Sequence, residues 1–530
     1  MDQRDIDRFQ FADQDLGVLL DHWADHRPDH PLLVWEPRDG ADRTWTYRQF
    51  RDDTLRLAAG LAARGVGEGD KVLIHAENCP EMVLAWYACA RLGAVGVTTN
   101  TRSVGAEIAY FAQHTDCVGA ITQPQFAGLV AEHATGLGWI VVTDDDSGEA
   151  PAPEHADHGF DRFDALFADG PPPPWAPDPM APVGIMFTSG TTSRPKAVVH
   201  THANALWASR VGPTNIAMHP DGVYLIYLPF FHVNAQSWSM WSTLGVGGTV
   251  VLQPKFSSSR FWEVVVKHSV THISLIPFVF KAVAGQERPA DSTLEVGVFG
   301  LVMPVLEGLM GCRVVPAYGM TETVIHAIHA DLVQSHPERS MGKPTPGYQF
   351  VIIDPETGAL CGDDQVGELW VHGTRGVQLF LEYYDNPEAN AAAFTDDGWF
   401  RTGDMVRVAQ HGNFFYSERD KDLLKVGGEN VSAKEVEDVC RAVGGIADIA
   451  VVGKSHDMLD QVPVAFVIKT PDATDDAELS RAILAHCADV LADFKRPRAV
   501  YVVDEFPRAT LDKVAKNKLR EQADELALAD

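Results

Sequence analysis

The sequence lacks the features that mark disulfide-stabilised, zinc-binding and membrane-spanning proteins. Its seven cysteines are scattered over 530 residues without paired or Cys-x-x-Cys spacing, which argues against a disulfide framework or a zinc site. No apolar run approaches the roughly 18 residues that a membrane-spanning helix needs. The first residues, Met1 to Asp5, are polar and do not resemble the apolar core of a signal peptide. We therefore expect a cytoplasmic protein without a transmembrane segment.

Positive charge is scarce in this chain. There are 43 lysines and arginines against 73 aspartates and glutamates, a formal net charge of −30. Nucleic acids and anionic membranes attract basic surfaces, so neither is an expected partner. An acidic protein that binds an anionic small molecule must instead concentrate its few cations at the site. The length also exceeds what one hydrophobic core usually supports, and it predicts at least two domains.

Alternating patterns predict an α/β fold. From Leu16 to about Ile140, short apolar runs alternate with helical patterns, and a second such series runs from His202 to about Ala317. Alternation of this kind implies βαβ units and largely parallel sheets with helices on both faces. We therefore predict two doubly wound subdomains, with the ligand at the carboxyl ends of the strands. From Met341 to Tyr416, glycine-punctuated strands predict a small β-rich module.

A charge-dense segment, Glu418 to Asp422, precedes a fresh series of helices and strands. We place a domain boundary there, which gives an N-terminal domain of residues 1–420 and a C-terminal α+β domain of residues 421–530. The second domain has roughly the size that one core can hold. We expect no carrier-protein module after it.

The stretch from Thr188 to Lys196 predicts a phosphate-binding loop. It follows the apolar run Val183 to Phe187, which has the pattern of a short buried strand. Gly190 can adopt backbone angles closed to other residues, so backbone N–H groups and hydroxyls can converge on phosphate oxygens, with Lys196 adding charge. The stretch does not match the Gly-x-x-x-x-Gly-Lys-Ser/Thr loop. Taken alone, it also fits an ordinary polar turn.

Four further motifs follow in order along the chain. They are Tyr318-Gly319-Met320-Thr321-Glu322-Thr323, Trp399 to Asp404, Arg419 to Asp422, and Pro507 to Val514. Together with the loop, they resemble the adenylate-forming superfamily, which contains acyl-CoA synthetases, the amino-acid-activating domains of peptide synthetases, and luciferases. The resemblance spans nearly the whole chain. Ser193 and Asp512 depart from it, because the family usually has glycine at both positions.

The resemblance implies a site for ATP and Mg²⁺. The implied ATP-binding residues are Thr188, Ser189, Gly190, Thr191, Thr192, Lys196, Tyr318, Gly319, Met320, Asp404 and Arg419. Within this set Tyr318 would stack on the adenine, while Asp404 and Arg419 would reach the ribose. Thr321 would offer its hydroxyl to the α-phosphate. Glu322 would anchor the metal, a hard cation that prefers oxygen ligands.

The resemblance also implies a C-terminal domain that moves. Lys513 stands where the family carries its adenylation lysine, a flexible point charge suited to bridging the acid's carboxylate and the α-phosphate. One small domain cannot present Lys513 and admit CoA in a single pose, so we expect it to rotate about a hinge at Lys421. The loop of Gly427, Gly428 and Glu429 would then face CoA, since glycines let the backbone pass close to the pantetheine arm.

The acid-binding side is less defined by the sequence. The stretch Leu228 to Ala235 resembles the Pro-x-x-His motif of the acyl pocket, where His232 would act at the acid's carboxylate. The residues expected to line the pocket are Phe231, Val233, Trp238 and Met303. The spacing of the aromatic residues after His232 also fits an ordinary core helix. Phe299 to Pro304 stands where acyl-CoA synthetases commonly carry a Gly-Gly-Ala/Ser-Pro-like loop.

These residues predict an ATP-dependent acid:CoA ligase that forms an acyl-adenylate, releases pyrophosphate and then makes the CoA thioester. Its partners would be a carboxylic acid, ATP and CoA, and a homodimer is one alternative for its assembly. We expect a fatty or other bulky apolar acid as the substrate, with a steroid side-chain acid and a betaine of the carnitine or crotonobetaine type as alternatives. Transfer of the acyl group to another acceptor is the main rival. A catalytically dead ATP-binding protein is disfavoured, because Lys513, Glu322 and Asp404 are all present.

Overall fold

The computed structural model describes residues 9–143, 159–188, 194–330, 332–416, 423–471, 473, 475–507 and 514–526. Several predicted site residues lie outside this description: Ser189, Gly190, Thr191, Thr192, Arg419, Lys421 and Lys513. In the part of the chain that is described, no helix combines the length and the apolar character needed to cross a membrane.

The strands are numbered in chain order. They are β1 Pro31–Trp35, β2 Arg43–Thr46, β3 Lys71–His75, β4 Val95–Thr98, β5 Cys117–Thr122, β6 Ile140–Val142, β7 Asp161–Arg162, β8 Pro182–Thr188, β9 Lys196–Thr201, β10 Val223–Ile226, β11 Thr249–Leu252, β12 His272–Ser274, β13 Val296–Phe299, β14 Arg313–Tyr318, β15 Ile328–His329, β16 Ser340–Pro344, β17 Gln349–Ile353, β18 Gly367–His372, β19 Glu382–Tyr383, β20 Trp399–Ala409, β21 Asn413–Tyr416, β22 Leu423–Val426, β23 Glu429–Ser432, β24 Ile446–His456, β25 Asp460–Lys469 and β26 Val500–Val502.

Helices of three kinds connect these strands. The α-helices are Leu16–His26, Tyr47–Ala63, Pro80–Ala90, Gly105–His114, Pro124–His133, His202–Ile216, Ser242–Val246, Phe261–Lys267, Pro277–Val283, Pro304–Met310, Pro387–Ala393, Ala433–Arg441, Asp476–Val490 and Lys516–Glu525. The 3₁₀ turns are Phe163–Leu166, Thr321–Thr323, Gln410–Gly412 and Asp493–Lys495, and Asn234–Trp241 is a π-helix.

The first sheet has eight strands in the order β19-β9-β8-β4-β3-β5-β6-β7. Its centre is parallel, with β3 paired to β4 and β5, and β4 paired to β8. The helix Pro80–Ala90 is apolar apart from Glu81 in its first turn, and every one of its residues is buried. Such a helix belongs between layers, and the main hydrophobic cluster indeed contains residues of both large sheets.

The second sheet has thirteen strands in the order β17-β18-β20-β21-β16-β15-β14-β13-β12-β10-β11-β1-β2. Its parallel part, such as β11, is buried on both faces, whereas the antiparallel β18 alternates between buried and partly exposed residues. The predicted β-rich stretch supplies that antiparallel part. It extends the second sheet through β15 and β16 and does not form a sheet of its own. The predicted α/β class with two doubly wound subdomains is confirmed.

The C-terminal strands form a separate five-stranded sheet, with β23-β22-β25-β24 in order and β26 on β25. The helices Ala433–Arg441 and Asp476–Val490 begin at the capping side chains of Ser432 and Asp475 and pack on this sheet. The sheet and its helices have their own hydrophobic clusters. An independent core is what a separate domain requires. The boundary between residues 420 and 421 lies outside the described residues and stays a prediction.

Candidate active site

The predicted phosphate loop lies at the tip of a β-hairpin. Strand β8 pairs with β9 in antiparallel register, and this pairing sets Thr188 opposite Lys196, the first and last residues of the loop. The predicted strand before the loop is therefore confirmed. The Oγ1 atom of Thr188 is buried and has no hydrogen-bond partner among the described residues. Residues 189–193, between the two, lie outside the description.

Lys196 and Glu322 meet at a tyrosine that the sequence did not single out. The Tyr383 hydroxyl donates a hydrogen bond to Glu322 Oε1 at 2.9 Å, and Lys196 Nζ lies 4.6 Å from the centre of the Tyr383 ring. Burial lowers the pKa of Lys196, and the nearby Glu322 opposes this shift. Burial and the Glu322 carboxylate both raise the pKa of Tyr383, so Tyr383 acts as a hydrogen-bond donor. The predicted phosphate-binding and metal-binding residues are thus neighbours.

Tyr318 and Asp404 also come together. Tyr318 is the last residue of β14, and its hydroxyl donates to Asp404 Oδ2 at 2.6 Å. Asp404 is only 3% exposed. A Cβ atom on Gly319 would lie 2.8 Å from the Trp238 ring and 2.8 Å from the carbonyl oxygen of Ile325. This crowding explains why glycine follows Tyr318.

Thr402 and Gly403 precede Asp404 within a strand and not in a turn. Both residues lie inside β20, where the register with β18 shifts between the pairs Trp370 with Arg401 and Glu368 with Met405. Extra residues on one strand of a pair form a β-bulge, which re-aims side chains. Gly403 has a φ of +73°, which glycine adopts readily. The bulge holds Asp404 where it meets Tyr318.

We expect Asp404→Ala to raise the KM for ATP by about 10- to 100-fold, because a hydrogen bond to a charged group contributes roughly 1.5–3 kcal/mol. Tyr318→Phe keeps the ring and loses one hydroxyl, so its effect should stay below about tenfold. The measurement is pyrophosphate release as a function of ATP and of 2′-deoxy-ATP. Tyr416→Phe is the matched control, since that hydroxyl lies 3.5 Å from Asp404. An unchanged KM for ATP in Asp404→Ala would remove Asp404 from the ribose site.

Thr321 begins a short 3₁₀ turn that is fixed against the first sheet. Its carbonyl oxygen accepts a hydrogen bond from His200 Nε2 at 2.8 Å. Burial lowers the pKa of His200 to about 4, so the imidazole is a neutral donor at pH 7. After the turn, Val324 has a φ of +67°, which is an outlier for a β-branched residue. Such strained backbone clusters at functional sites.

The π-helix Asn234–Trp241 holds the strained residue from the other side. Ser237 Oγ donates to the carbonyl oxygen of Val324 at 2.6 Å. π-Helical turns are rare and frequently occur at functional sites. Sequence reasoning placed a helix here and missed its type, because periodicity does not separate π from α over eight residues.

The four predicted acyl-pocket residues lie in three different places. Phe231 and Trp238 pack in the main hydrophobic cluster, and the Trp238 ring lies 4.6 Å from the His326 ring in an edge-on contact. Met303 packs on the second cluster, and Val233 is partly exposed just before the π-helix. The structure places Trp238 beside the Tyr318-Gly319 motif, at the edge of the predicted nucleotide site.

The predicted CoA-facing loop lies against the N-terminal domain. Gly427 and Gly428 both have positive φ, +60° and +92°, and a Cβ atom on Gly428 would lie 3.1 Å from Ile276 Cδ1. The carboxylate of Glu429 approaches His232 Nε2 at 3.1 Å. The described pose therefore joins the loop to the histidine predicted at the acyl pocket.

The contact between His232 and Glu429 is a charged pair. Burial would lower the pKa of His232, but the Glu429 carboxylate outweighs it and raises this pKa above 6.5. Burial would raise the pKa of Glu429, but His232 and the nearby Arg102 outweigh it and lower this pKa below 4.5. Both side chains are charged at pH values between the lowered pKa of Glu429 and the raised pKa of His232.

This pair predicts a pH-dependent domain pose. The contribution of the pair to the stability of this pose is complete below the ordinary histidine pKa of 6.5. It is lost as the pH rises through the raised pKa of His232. We expect the population of this pose to fall about two- to fivefold towards pH 9, since exposed ion pairs contribute roughly 0.2–1 kcal/mol. The measurement is the distance between dyes on Ala131→Cys and Ala477→Cys. His232→Gln should flatten the profile; an unchanged profile in that variant would contradict the assignment.

The chain matches a known enzyme family over most of its length. A family model described as AMP-binding enzyme matches residues 20–384, and the model of its C-terminal domain matches residues 435–513. The chain is similar to the crotonobetaine/carnitine–CoA ligase of Citrobacter koseri, with 31% identity over 524 residues that cover 96% of this chain and 99% of the relative.

Two solved structures of o-succinylbenzoate CoA synthetase from Bacillus subtilis match at 26% identity, each covering 95% of this chain and 98% of the other. A double mutant bound to the product analogue OSB-NCoA gives a TM-score of 0.79, and the complex with AMP gives 0.66. The structure of this chain thus superposes better on the double mutant with the product analogue than on the complex with AMP.

The motifs, the sheet order and the two family models agree along the chain. The adenylate-forming resemblance read from the sequence is confirmed. The chain belongs to the AMP-binding enzyme family, as one of its AMP-forming acyl-CoA ligases.

Proposed function

We propose that this ligase activates its acid where the β8–β9 hairpin, the end of β14 and the bulge in β20 meet. The observation that carries the proposal is the convergence of two contacts, Lys196 with Tyr383 and Glu322, and Tyr318 with Asp404. Residues from four separate stretches of chain thereby supply groups for phosphates, metal, ribose and adenine at one place. No short motif could supply all of them.

The chemistry requires two anions to meet, the acid's carboxylate and the α-phosphate of ATP. Lys196 and the backbone of the hairpin loop would offset that repulsion, and the Thr321 hydroxyl would donate to an α-phosphate oxygen. Lys513 would enter from the C-terminal domain in a second pose, after rotation at Lys421, to bridge the carboxylate and the phosphate. We propose the boundary between residues 420 and 421 on this basis.

The residues present fit a magnesium ion. The buried Glu322 carboxylate and the Thr188 hydroxyl, which lacks a hydrogen-bond partner among the described residues, are both hard oxygen donors, as Mg²⁺ prefers. Glu322 would hold the ion, and bound Mg²⁺ would supply positive charge against the phosphate oxygens. Tyr383 would orient the Glu322 carboxylate, since its hydroxyl donates a hydrogen bond to Oε1.

The described pose suits the second step. Gly427 and Gly428 lie against Ile276 and carry no side chains, so a narrow chain such as pantetheine would run along their backbone. Glu429 holds His232 by its Nε2 atom, which would draw the imidazole towards the C-terminal domain and away from the acid's carboxylate. We propose that CoA thiol reaches the acyl-adenylate in this pose and displaces AMP.

For the acid, we propose a short betaine over a fatty acid. The π-helix carries buried polar atoms that lack a partner among the described residues, Gln236 Nε2 and Oε1 and Trp238 Nε1. A fatty acyl chain would leave such atoms unpaired at a cost. Trp238 offers an aromatic face for a quaternary ammonium. Burial lowers the pKa of the adjacent His326 to about 3, so it is neutral and does not repel a cation.

An acid panel tests the proposal. We expect crotonobetaine and carnitine to exceed crotonate, which lacks the quaternary ammonium group, in kcat/KM by about tenfold or more, because a desolvated cation–π contact contributes about 2 kcal/mol. They should also exceed octanoate and a steroid side-chain acid. Trp238→Leu should reduce this preference, and Trp262→Leu, in the second hydrophobic cluster, is the control. A preference for octanoate would overturn the betaine assignment. Pyrophosphate release without thioester formation would instead point to a different acceptor.

We also propose a cytoplasmic location. The cysteines are all unpaired, as expected where thiols are kept reduced. ATP and CoA are the co-substrates that the site is proposed to use there.

A further inference from the structure

A buried lysine joins the two domains beside β23, the strand that begins at Glu429 of the CoA-facing loop. Lys495 Nζ donates to Glu435 at 2.9 Å within the C-terminal domain and also to Glu107 of the N-terminal domain. The side chains of all three residues are less than 10% exposed. Burial would lower the pKa of Lys495, but the two carboxylates outweigh it and raise this pKa. The lysine is therefore charged and shared between domains.

A second contact from the same 3₁₀ turn reaches the same N-terminal segment. Arg102 pairs with Asp493 through two hydrogen bonds, Nε to Oδ1 at 2.9 Å and a terminal nitrogen to Oδ2 at 2.6 Å. Its guanidinium also lies 4.6 Å from the centre of the buried Phe494 ring. Bidentate arginine–carboxylate pairs fix geometry as well as energy. The turn Asp493–Lys495 is thus held at both ends.

These contacts can break without stranding a buried charge. Glu107 Oε2 also accepts from the backbone N–H of Val104, at the start of the helix Gly105–His114. Lys495 retains Glu435 inside its own domain. Removing one partner from a buried ion pair is normally costly. Here each side keeps an intradomain partner, so the contact suits a reversible interface better than a permanent one.

We propose that Arg102 and Glu107, with Asp493 and Lys495, form a latch that holds the C-terminal domain in the thioester-forming pose. The latch residues are positioning residues: they place Gly427 and Gly428 at the CoA path without touching substrate. The proposal rests on the proposed function, because it assigns the described pose to the second step. None of the five motifs quoted from the sequence includes these four positions.

A charge swap tests the latch. Arg102→Asp and Asp493→Arg should each slow thioester formation from supplied acyl-adenylate and CoA by about three- to tenfold, the range of a well-formed surface pair with an added ring contact. Adenylation, measured as pyrophosphate release with hydroxylamine as the acceptor, should stay within twofold. The double variant should regain most of the thioester rate. Equal loss in both half-reactions, or no recovery in the double variant, would overturn the latch.

Glu107→Gln tests the buried part from the N-terminal side. Lys495→Met would strand Glu435 in the C-terminal domain, whereas glutamine at position 107 can still accept from Val104 and keep the helix start. We expect the same selective loss of the thioester step, with an unchanged melting temperature. Glu132→Gln, an exposed residue on the helix Pro124–His133, is the matched control.

A distance measurement between the domains, which does not need catalysis, tests the latch independently of the proposed function. Spin labels at Ala131→Cys and Ala477→Cys, in a Cys361→Ser background, report the distance between the domains. The other cysteines are buried. Arg102→Asp and Asp493→Arg should each reduce the fraction of molecules with the label-to-label distance of this structure. The double variant should restore that fraction. An unmoved distribution overturns the latch, whereas absence of pyrophosphate release with every acid overturns the proposed function alone.

Discussion

Lys513→Ala is expected to lower adenylation by on the order of 10²–10³-fold, the loss measured when one charge-stabilising group is removed from a preorganised site. Two anions approach each other in that step, and Lys513 is the residue that the family resemblance assigns to bridge them. Thioester formation from supplied acyl-adenylate and CoA should be unaffected, because the C-terminal domain presents a different face in the pose described above.

The control for Lys513 is Lys518→Ala. Lys518 is an exposed lysine on the closing helix Lys516–Glu525. Its substitution by alanine removes the same charge from the same domain. Both half-reactions should remain at wild-type rates in that variant. Equal loss of adenylation and thioester formation in Lys513→Ala would show that the lysine serves the fold or both steps. The two-pose scheme would then lose its support.

Gly428→Leu is expected to give the opposite result, with thioester formation lowered by about 100-fold or more and adenylation retained. A Cβ atom at this position would lie 3.1 Å from Ile276 Cδ1, and a leucine would extend further into the space proposed for pantetheine. Small misplacements at a reacting centre cost about 10²-fold. The measurement is thioester formation from supplied acyl-adenylate over a range of CoA concentrations.

Backbone strain must be separated from blockage, since Gly428 has a φ of +92°. Gly65→Leu is the matched control, because Gly65 has a φ of +86° and nothing within 4 Å of an added Cβ atom. It carries similar strain on an open surface and should leave CoA turnover intact. Ile276→Ala in the Gly428→Leu background should restore part of the rate. Normal CoA turnover in Gly428→Leu itself would take this loop out of the second step.

Local patterns were sufficient for much of the fold. Alternating apolar runs predicted one strand–helix series from Leu16 to about Ile140, which contains β3, and another from His202 to about Ala317, which contains β10 to β13. Parallel strands buried on both faces appear as continuous apolar segments. The apolar run before the phosphate loop likewise predicted β8. These signals are contained in a few consecutive residues, and helices of contrasting period separate them.

Long-range pairing was beyond the same reasoning. Strand β1 opens the chain's first series but pairs with β11 in the second sheet. Consecutive strands are neighbours only about two-thirds of the time, and nothing in β1 itself marks its partner. Tyr383 was missed for the same reason, since it lies in a two-residue strand that pairs with β9.

The site was predicted unevenly. Tyr318, Glu322, Asp404 and Lys196 were singled out from motifs, and the structure brings them into two contacts. The strained Val324 and the bulge at Gly403 have no sequence pattern, because both arise where neighbouring elements over-determine the backbone. Motifs specify which groups are needed, whereas tertiary packing decides how they are aimed.

The π-helix Asn234–Trp241 has a consequence for how specificity can change in such enzymes. A π-turn accommodates one residue more than an α-turn. Deleting a single residue there would restore the α period inside this segment and move its remaining side chains by one position, while the helix Ser242–Val246 that follows would keep its phase. A different residue would then replace Trp238 at the pocket, while the strands on either side stayed in place. Substrate range in this lineage could thus shift through a one-codon change in length, without any substitution in the catalytic motifs.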